Sequence, residues 1–186
     1  MRIVGGRLRG RTLTPPRSQA IRPTADRLRE ALFNILLHSY GDPVSGARVL
    51  DLFAGTGALG LESLSRGARF ALFIDDAAQA RALIRDNVAA LGLGGATRIF
   101  RRDATKLGAA GPVDPFSLVF LDPPYREGLA ERALACARSG GWLVPGALAV
   151  VEEAADARFA PPAGFIEAER RRYDDSELIL LRAAPP

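Results

Sequence analysis

The chain has 186 residues, 48% of them hydrophobic, with a formal net charge of +4, one cysteine and one histidine. That length suits one well-buried α/β domain with a small appendage, and the apolar content argues against a disordered chain. A lone cysteine excludes an internal disulfide, a lone histidine disfavours a protein-built zinc site, and neither a bilayer-spanning run nor a signal sequence is visible, so a metal-free protein of a reducing, cytoplasmic compartment is expected.

Residues 2–14 read as two short strands around Gly5-Gly6 and Gly10, with Arg7, Arg9 and Arg11 alternating with apolar or glycine positions. The pattern predicts a small basic hairpin or arm. Pro15, Pro16 and Pro23 punctuate an extended link. Thr24 is placed to cap a helix whose apolar stripe is Leu28, Leu32, Ile35 and Leu36, with Arg27 and Arg29 off that stripe and Gly41 and Pro43 ending it. Residues 1–30 carry eight arginines against Asp26 and Glu30, a net +6 that leaves −2 for the rest of the chain. The single lysine, Lys106, shows a general preference for arginine, but that does not explain the clustering. Such concentration is the electrostatic footprint of a polyanion partner.

The stretch VLDLFAGTGALG, 49–60, organises the rest of the chain. An apolar strand-like run carries Asp51, then breaks at Gly55, Gly57 and Gly60, and Leu59, Leu61 and Leu64 continue at helical spacing. Strand, glycine turn and helix is the context that gives a G-x-G-x-x-G pattern meaning, because glycines let the backbone turn sharply and approach a ligand closely. The next apolar run, 69–75, ends in Asp75 and Asp76, where a carboxylate would meet a ribose diol. A helical pattern over 77–91 places Ala80, Leu83, Ile84, Val88 and Leu91 on one face. A short strand around Ile99 and Phe100 leads to Asp103, and strand 116–121 ends in Asp122-Pro123-Pro124-Tyr125. A helix at about 127–138, a strand at Leu148–Val151 and two further strands, 164–172 and 178–181, flanking the turn Tyr173-Asp174-Asp175-Ser176, complete the chain. Acid-tipped strands alternating with helices are the layout of an open parallel sheet that binds ligand at its carboxyl edge. His38, Cys136 and Trp142 read as structural.

Glycine loop, acidic tips and D-P-P-Y together resemble the class I S-adenosylmethionine-dependent methyltransferases that modify exocyclic amino groups. With the N-terminal stretch Arg22-Pro23-Thr24-Ala25-Asp26-Arg27 and Arg29-Glu30 added, the chain is similar, over nearly its whole length, to the bacterial 16S ribosomal RNA guanine-N2-methyltransferases of the RsmD type. The resemblance implies a Rossmann-like, mostly parallel seven-stranded sheet with a C-terminal antiparallel hairpin. It implies one methyltransferase domain over 1–186, made of a basic arm and helix (1–40) and a catalytic core (41–186). S-adenosylmethionine would be held by Asp51, Phe53, Gly55, Thr56 and Gly57 at the methionine end. Asp75 would take the ribose, though Asp76 stands beside it, and Asp103 with Ala104 the adenine. Arg7, Arg9, Arg11, Arg22, Thr24 and Arg27 would contact the RNA of the small ribosomal subunit, with the enzyme a monomer.

The chemistry implied is attack by a base amino nitrogen on a sulfonium methyl. That nitrogen is a poor nucleophile because its lone pair is conjugated into the ring. Asp122 and the carbonyl of Pro123, aimed by the rigid Pro123-Pro124 turn, would accept its hydrogens, and Tyr125 would offer a face for an unstacked base. A DNA or RNA adenine-N6 methyltransferase would also use D-P-P-Y, but reading a DNA sequence needs a recognition region for which this chain has no room. An NAD-dependent oxidoreductase or a non-catalytic nucleotide-binding module would share the glycine loop but would call for neither Asp51 nor D-P-P-Y.

Overall fold

Seven strands line up in the order β3-β2-β1-β4-β5-β7-β6 in a computed structural model that describes residues 1–16 and 25–185. Arg22 and Thr24 lie outside the described residues. The strands are β1 (Arg48–Leu52), β2 (Phe70–Ile74), β3 (Thr97–Phe100), β4 (Phe116–Leu121), β5 (Leu143–Ala154), β6 (Phe165–Tyr173) and β7 (Ser176–Ala183). The first five are parallel, and β7 inserts antiparallel between β5 and β6. This is the mostly parallel sheet with a terminal hairpin that the sequence predicts.

Alternation along each strand builds two cores. In β4, Leu118 and Phe120 face α1 (Asp26–Ser39), α2 (Ala58–Ser65) and α3 (Ala78–Leu91), while Val119 and Leu121 face α4 (Leu129–Ser139). α4 presents Ala130, Ala133, Leu134 and Ala137 to the sheet, and Trp142 fills the space beside it, stacked on Phe116. Burying each Leu, Val or Phe contributes roughly 1.5–3 kcal/mol, which is why apolar runs only five or six residues long suffice as strands. No described helix is long and apolar enough to cross a membrane.

Register brings the strand ends level. Leu52 pairs with both Ile74 and Leu121, Ile74 with Phe100, and Leu121 with Val151. The residues just beyond these pairs, Phe53, Asp75 and Asp122, therefore leave the sheet together. Strand order reverses between β1 and its two neighbours β2 and β4, and the crevice outside the carboxyl ends at such a switch point is where open α/β sheets bind ligands.

Three expectations need correction. The two N-terminal strands reduce to one antiparallel bridge, Arg2 with Thr12, closed by Ile3 N–H to the Arg11 carbonyl (2.9 Å) and Gly10 N–H to the Ile3 carbonyl (2.8 Å). The arm is pinned to α2 instead of extending a ladder. Val4 N–H donates to Glu62 Oε2 (2.9 Å), Leu8 N–H to Ser65 Oγ (2.9 Å), and that hydroxyl to the Gly5 carbonyl (2.6 Å). With Ile3 and Leu13 wholly buried, the arm roofs α2, and every residue of that helix is buried despite Glu62, Ser63 and Ser65. Secondly, the cap position of α1 is Ala25, without a side-chain bond, one residue later than expected; Thr24 itself lies outside the described residues. Thirdly, β5 extends well beyond Leu148–Val151: it is irregular around Gly146 (φ 75°) and continues through two glutamates, Glu152 and Glu153, that break the apolar pattern.

Candidate active site

The loop leaving β1 turns on three left-handed residues, Phe53 (φ 57°), Gly55 (φ 56°) and Gly57 (φ 77°). Phe53 is the unexpected one, since a side chain there costs on the order of 1 kcal/mol. Gly57 starts α2 and faces inward, against Ile84 and Phe73. A Cβ on Gly60 would overlap the Phe73 ring, so the third glycine serves helix–strand packing. Asp51 is buried under this loop, and its Oδ2 accepts the Gly60 N–H at 2.9 Å. Burial pushes its carboxyl up to about 8, the Gly60 amide opposing and neighbouring Asp75 reinforcing the shift.

The second tip is tied to the first. Asp75 Oδ2 accepts the Gly55 N–H and Oδ1 the Ala77 N–H, both at 2.9 Å. Burial raises its pKa against the pull of those two amides. Asp76 is exposed at the cavity wall and does not cap α3, whose cap position is Ala77 without a side-chain bond. At the third tip, Asp103 accepts the Thr105 N–H (2.8 Å) and hydroxyl (2.7 Å), bonds that hold its carboxyl below the usual range.

The fourth tip closes the ring. Asp122, Pro123, Pro124 and Tyr125 line the same cavity, about 570 Å³, as Asp51, Phe53, Gly55, Thr56, Asp75, Asp76 and Asp103. Two of the residues expected there do not line it. Gly57 sits behind its wall, and Ala104 lines an adjoining recess of about 40 Å³ with Phe53 and Asp103. Several lining residues went unforeseen: Ala80, Thr105, Leu129 and Arg132, the last a cation in a wall otherwise charged only by aspartates. Glu152 is another unforeseen partner, its Oε1 accepting the Tyr125 hydroxyl at 2.6 Å.

Among the described residues, no arm arginine lines this cavity. Arg7, Arg9, Arg11 and Arg27 are exposed, and Arg11 donates to the Ala90 carbonyl at the end of α3 (2.8 Å). Arg29, placed off the apolar stripe by the sequence, is fully buried. It pairs with Asp26 (2.9 Å) and Glu62 (3.5 Å) and donates to the Arg2 carbonyl. Arm and loop are also bridged through α3: Thr14 N–H donates to Asn87 Oδ1 (2.7 Å), and Asn87 Nδ2 donates to the Thr56 carbonyl (3.1 Å).

Residues 1–182 match the family model described as Conserved hypothetical protein 95. The chain is 44% identical over 153 residues to ribosomal RNA small subunit methyltransferase D of Escherichia coli K12, covering 82% of this chain and 74% of that one. The protein of the same name from Haemophilus influenzae is 35% identical over 164 residues, 87% of this chain and 83% of its own. Among solved structures, a chain from Escherichia coli assigned as a methyltransferase superposes with a TM-score of 0.82 at 32% identity, covering 100% of this chain and 99% of that one. An RNA methyltransferase of Salinibacter ruber, solved with S-adenosyl-L-homocysteine, shares the fold at a TM-score of 0.67 and 14% identity over 89% of this chain and 95% of its own.

Proposed function

Because the chain belongs to the Conserved hypothetical protein 95 family, that of the RsmD-type ribosomal RNA methyltransferases, we propose that it moves the methyl group of S-adenosylmethionine to the 2-amino group of a guanine in 16S ribosomal RNA. It acts as a monomer in the cytoplasm, on the small subunit or an assembly intermediate. The observation that carries this reading is the sharing of one cavity by the glycine loop and the D-P-P-Y tip.

The cavity suits the methyl donor. Its volume lies within the usual 300–1,000 Å³ of small-molecule sites. Asp51, held largely protonated by burial at neutral pH, is suited to an ammonium, whose charge would draw it into the ionised form. The backbone around Gly55 and Thr56 would hold the methionine carboxylate. Asp75, fixed by two amides, would present its remaining lone pairs to the ribose hydroxyls, and Asp103 would accept from the adenine amino group.

S-adenosylmethionine supplies an electrophilic methyl on sulfur, so no metal is needed to activate it. The chain's own task is at the nitrogen. Asp122 and the Pro123 carbonyl accept the two amino hydrogens and draw the lone pair out of conjugation and toward the methyl. As the N–C bond forms and the S–C bond breaks, the surplus proton leaves through Asp122 to solvent. Tyr125 holds the base plane, and the rigid proline pair keeps the acceptors aimed, so much of the rate comes from positioning. The exposed arm arginines contact RNA phosphates and set register without reading bases.

The test is transfer of labelled methyl to ribosomal RNA from a strain lacking its own family member, followed by nucleoside mass spectrometry. N2-methylguanosine is the expected product. N6-methyladenosine, or no transfer to RNA or subunits, would contradict the proposal.

A further inference from the structure

The end of β5 carries two adjacent glutamates, and both reach across to the D-P-P-Y loop. Glu152 Oε1 accepts the Tyr125 hydroxyl at 2.6 Å, and Glu153 Oε1 accepts the Arg126 N–H at 3.0 Å. Arg126 has a left-handed backbone (φ 65°), which an arginine adopts only when something holds it there, and its guanidinium also meets Asp156 at 2.9 Å. The register explains the reach: Leu121 pairs with Val151, so Asp122 and Glu152 are the next residues on neighbouring parallel strands. Val151 packs on the α4 side of the sheet and Val150 on the α1–α2 side, so alternation turns Glu152 toward the α1–α2 side, where its pairing partner Leu178 also packs.

Glu152 is only 7% exposed. A carboxyl group at such a depth is a costly way to fill a strand position unless it does something an apolar side chain cannot. Neither glutamate lines the cavity, whereas Tyr125 does. We infer that Glu152 is a positioning residue for methyl transfer: it holds the Tyr125 hydroxyl so that the ring stands as a fixed wall against which the target base is placed. This rests on the functional reading above, in which Tyr125 carries the base.

The physical argument is one of freedom removed. A tyrosine ring at a loop tip has a broad χ2 well, and a base stacking on it would have to halt that motion on binding. A short charge-assisted bond from its hydroxyl fixes tilt and plane before the RNA arrives. Glu153 does the same for the backbone one residue on, so ring and loop are moored together.

A mutant cycle separates this from a merely structural role. Glu152→Ala and Tyr125→Phe should each lower kcat/KM for RNA by on the order of tenfold to a hundredfold, the range set by losing one charge-assisted hydrogen bond, and affinity for S-adenosylhomocysteine should stay within a factor of two or so. The double variant should be no worse than Tyr125→Phe alone, and Glu152→Gln, which keeps an acceptor, should lose less than Glu152→Ala. Independent of turnover, with 3-fluorotyrosine incorporated, Glu152→Ala should move the fluorine resonance of Tyr125 toward that of free fluorotyrosine and leave Tyr40 and Tyr173 in place. An unchanged Tyr125 resonance would overturn the inference. So would losses that multiply in the double variant, or wild-type kcat/KM in Tyr125→Phe, which keeps Glu152 and does not depend on Glu152→Ala folding. A wild-type protein that methylates no RNA would instead remove the functional reading, while the fluorine measurement would still decide the mooring.

Discussion

Asp122 and Asp51 bear opposite burdens in the same cavity. Asp122 stands at the tip where an amino group would be activated, so Asp122→Ala should reduce turnover by about a hundredfold to a thousandfold, the scale of losing an aimed hydrogen-bonding group in a transition state. Calorimetry should show its affinity for S-adenosylhomocysteine nearly unchanged, and wild-type turnover in that variant would remove the assignment. Asp51 belongs to the donor side. Burial raises it to about 8 in the free protein, so below that pH an arriving ammonium must displace a proton before it gains a full ion pair. Affinity for S-adenosylhomocysteine should therefore climb between about pH 6 and pH 8, by up to tenfold per unit, and Asp51→Asn should flatten the climb. An equal slope in the variant would show that another group is responsible. The sign is reversed for stability: the folded state keeps a proton that the unfolded chain releases, so this group's contribution falls as pH rises from about 4 to about 8.

At the scale of elements, the N-terminal arm is the piece whose nature the sequence conceals. Its alternating arginines suggest a free basic hairpin, yet its backbone is hydrogen-bonded to α2 and Ile3 and Leu13 are wholly buried. Ile3→Ala should cost about 2–4 kcal/mol in urea unfolding, as for any well-packed core position. A cost below about 0.5 kcal/mol would mean that the arm is a detachable tail. The same packing explains why Arg29 misleads: helical spacing places it off the stripe of α1, but its partner Glu62 lies on another helix, and nothing local announces a pair so distant in sequence. The ends of β5 are hidden for a similar reason. Its middle reads as strand because Leu148–Val151 is apolar, whereas Glu152 and Glu153 are buried where Tyr125 and Arg126 come to meet them. Local patterns reveal apolar faces and glycine turns well. They are silent about carboxylates whose partners arrive from another loop.

For the molecule as a whole, seven strands are legible because most are apolar runs closed by glycine, proline or acid, while the charged β6 is read from the polar turn it shares with β7, and the order β3-β2-β1-β4-β5-β7-β6 is compatible with the handedness of parallel crossovers. The convergence of Asp51, Asp75, Asp103 and Asp122 on one cavity is a consequence of that order and of level strand ends. Unseen in sequence are the residues that complete the wall from α4, Leu129 and Arg132, which belong to no motif. The proposed activity depends on a donor methyl lying where the D-P-P-Y tip can present a nitrogen to it. Its most direct test is a crystal structure with S-adenosylhomocysteine bound. The sulfur should lie at the Asp122–Tyr125 end of the cavity, with the ribose on Asp75 and the adenine near Asp103. A ligand bound in reverse, with its adenine against Tyr125 and its sulfur remote from Asp122, would contradict that activity.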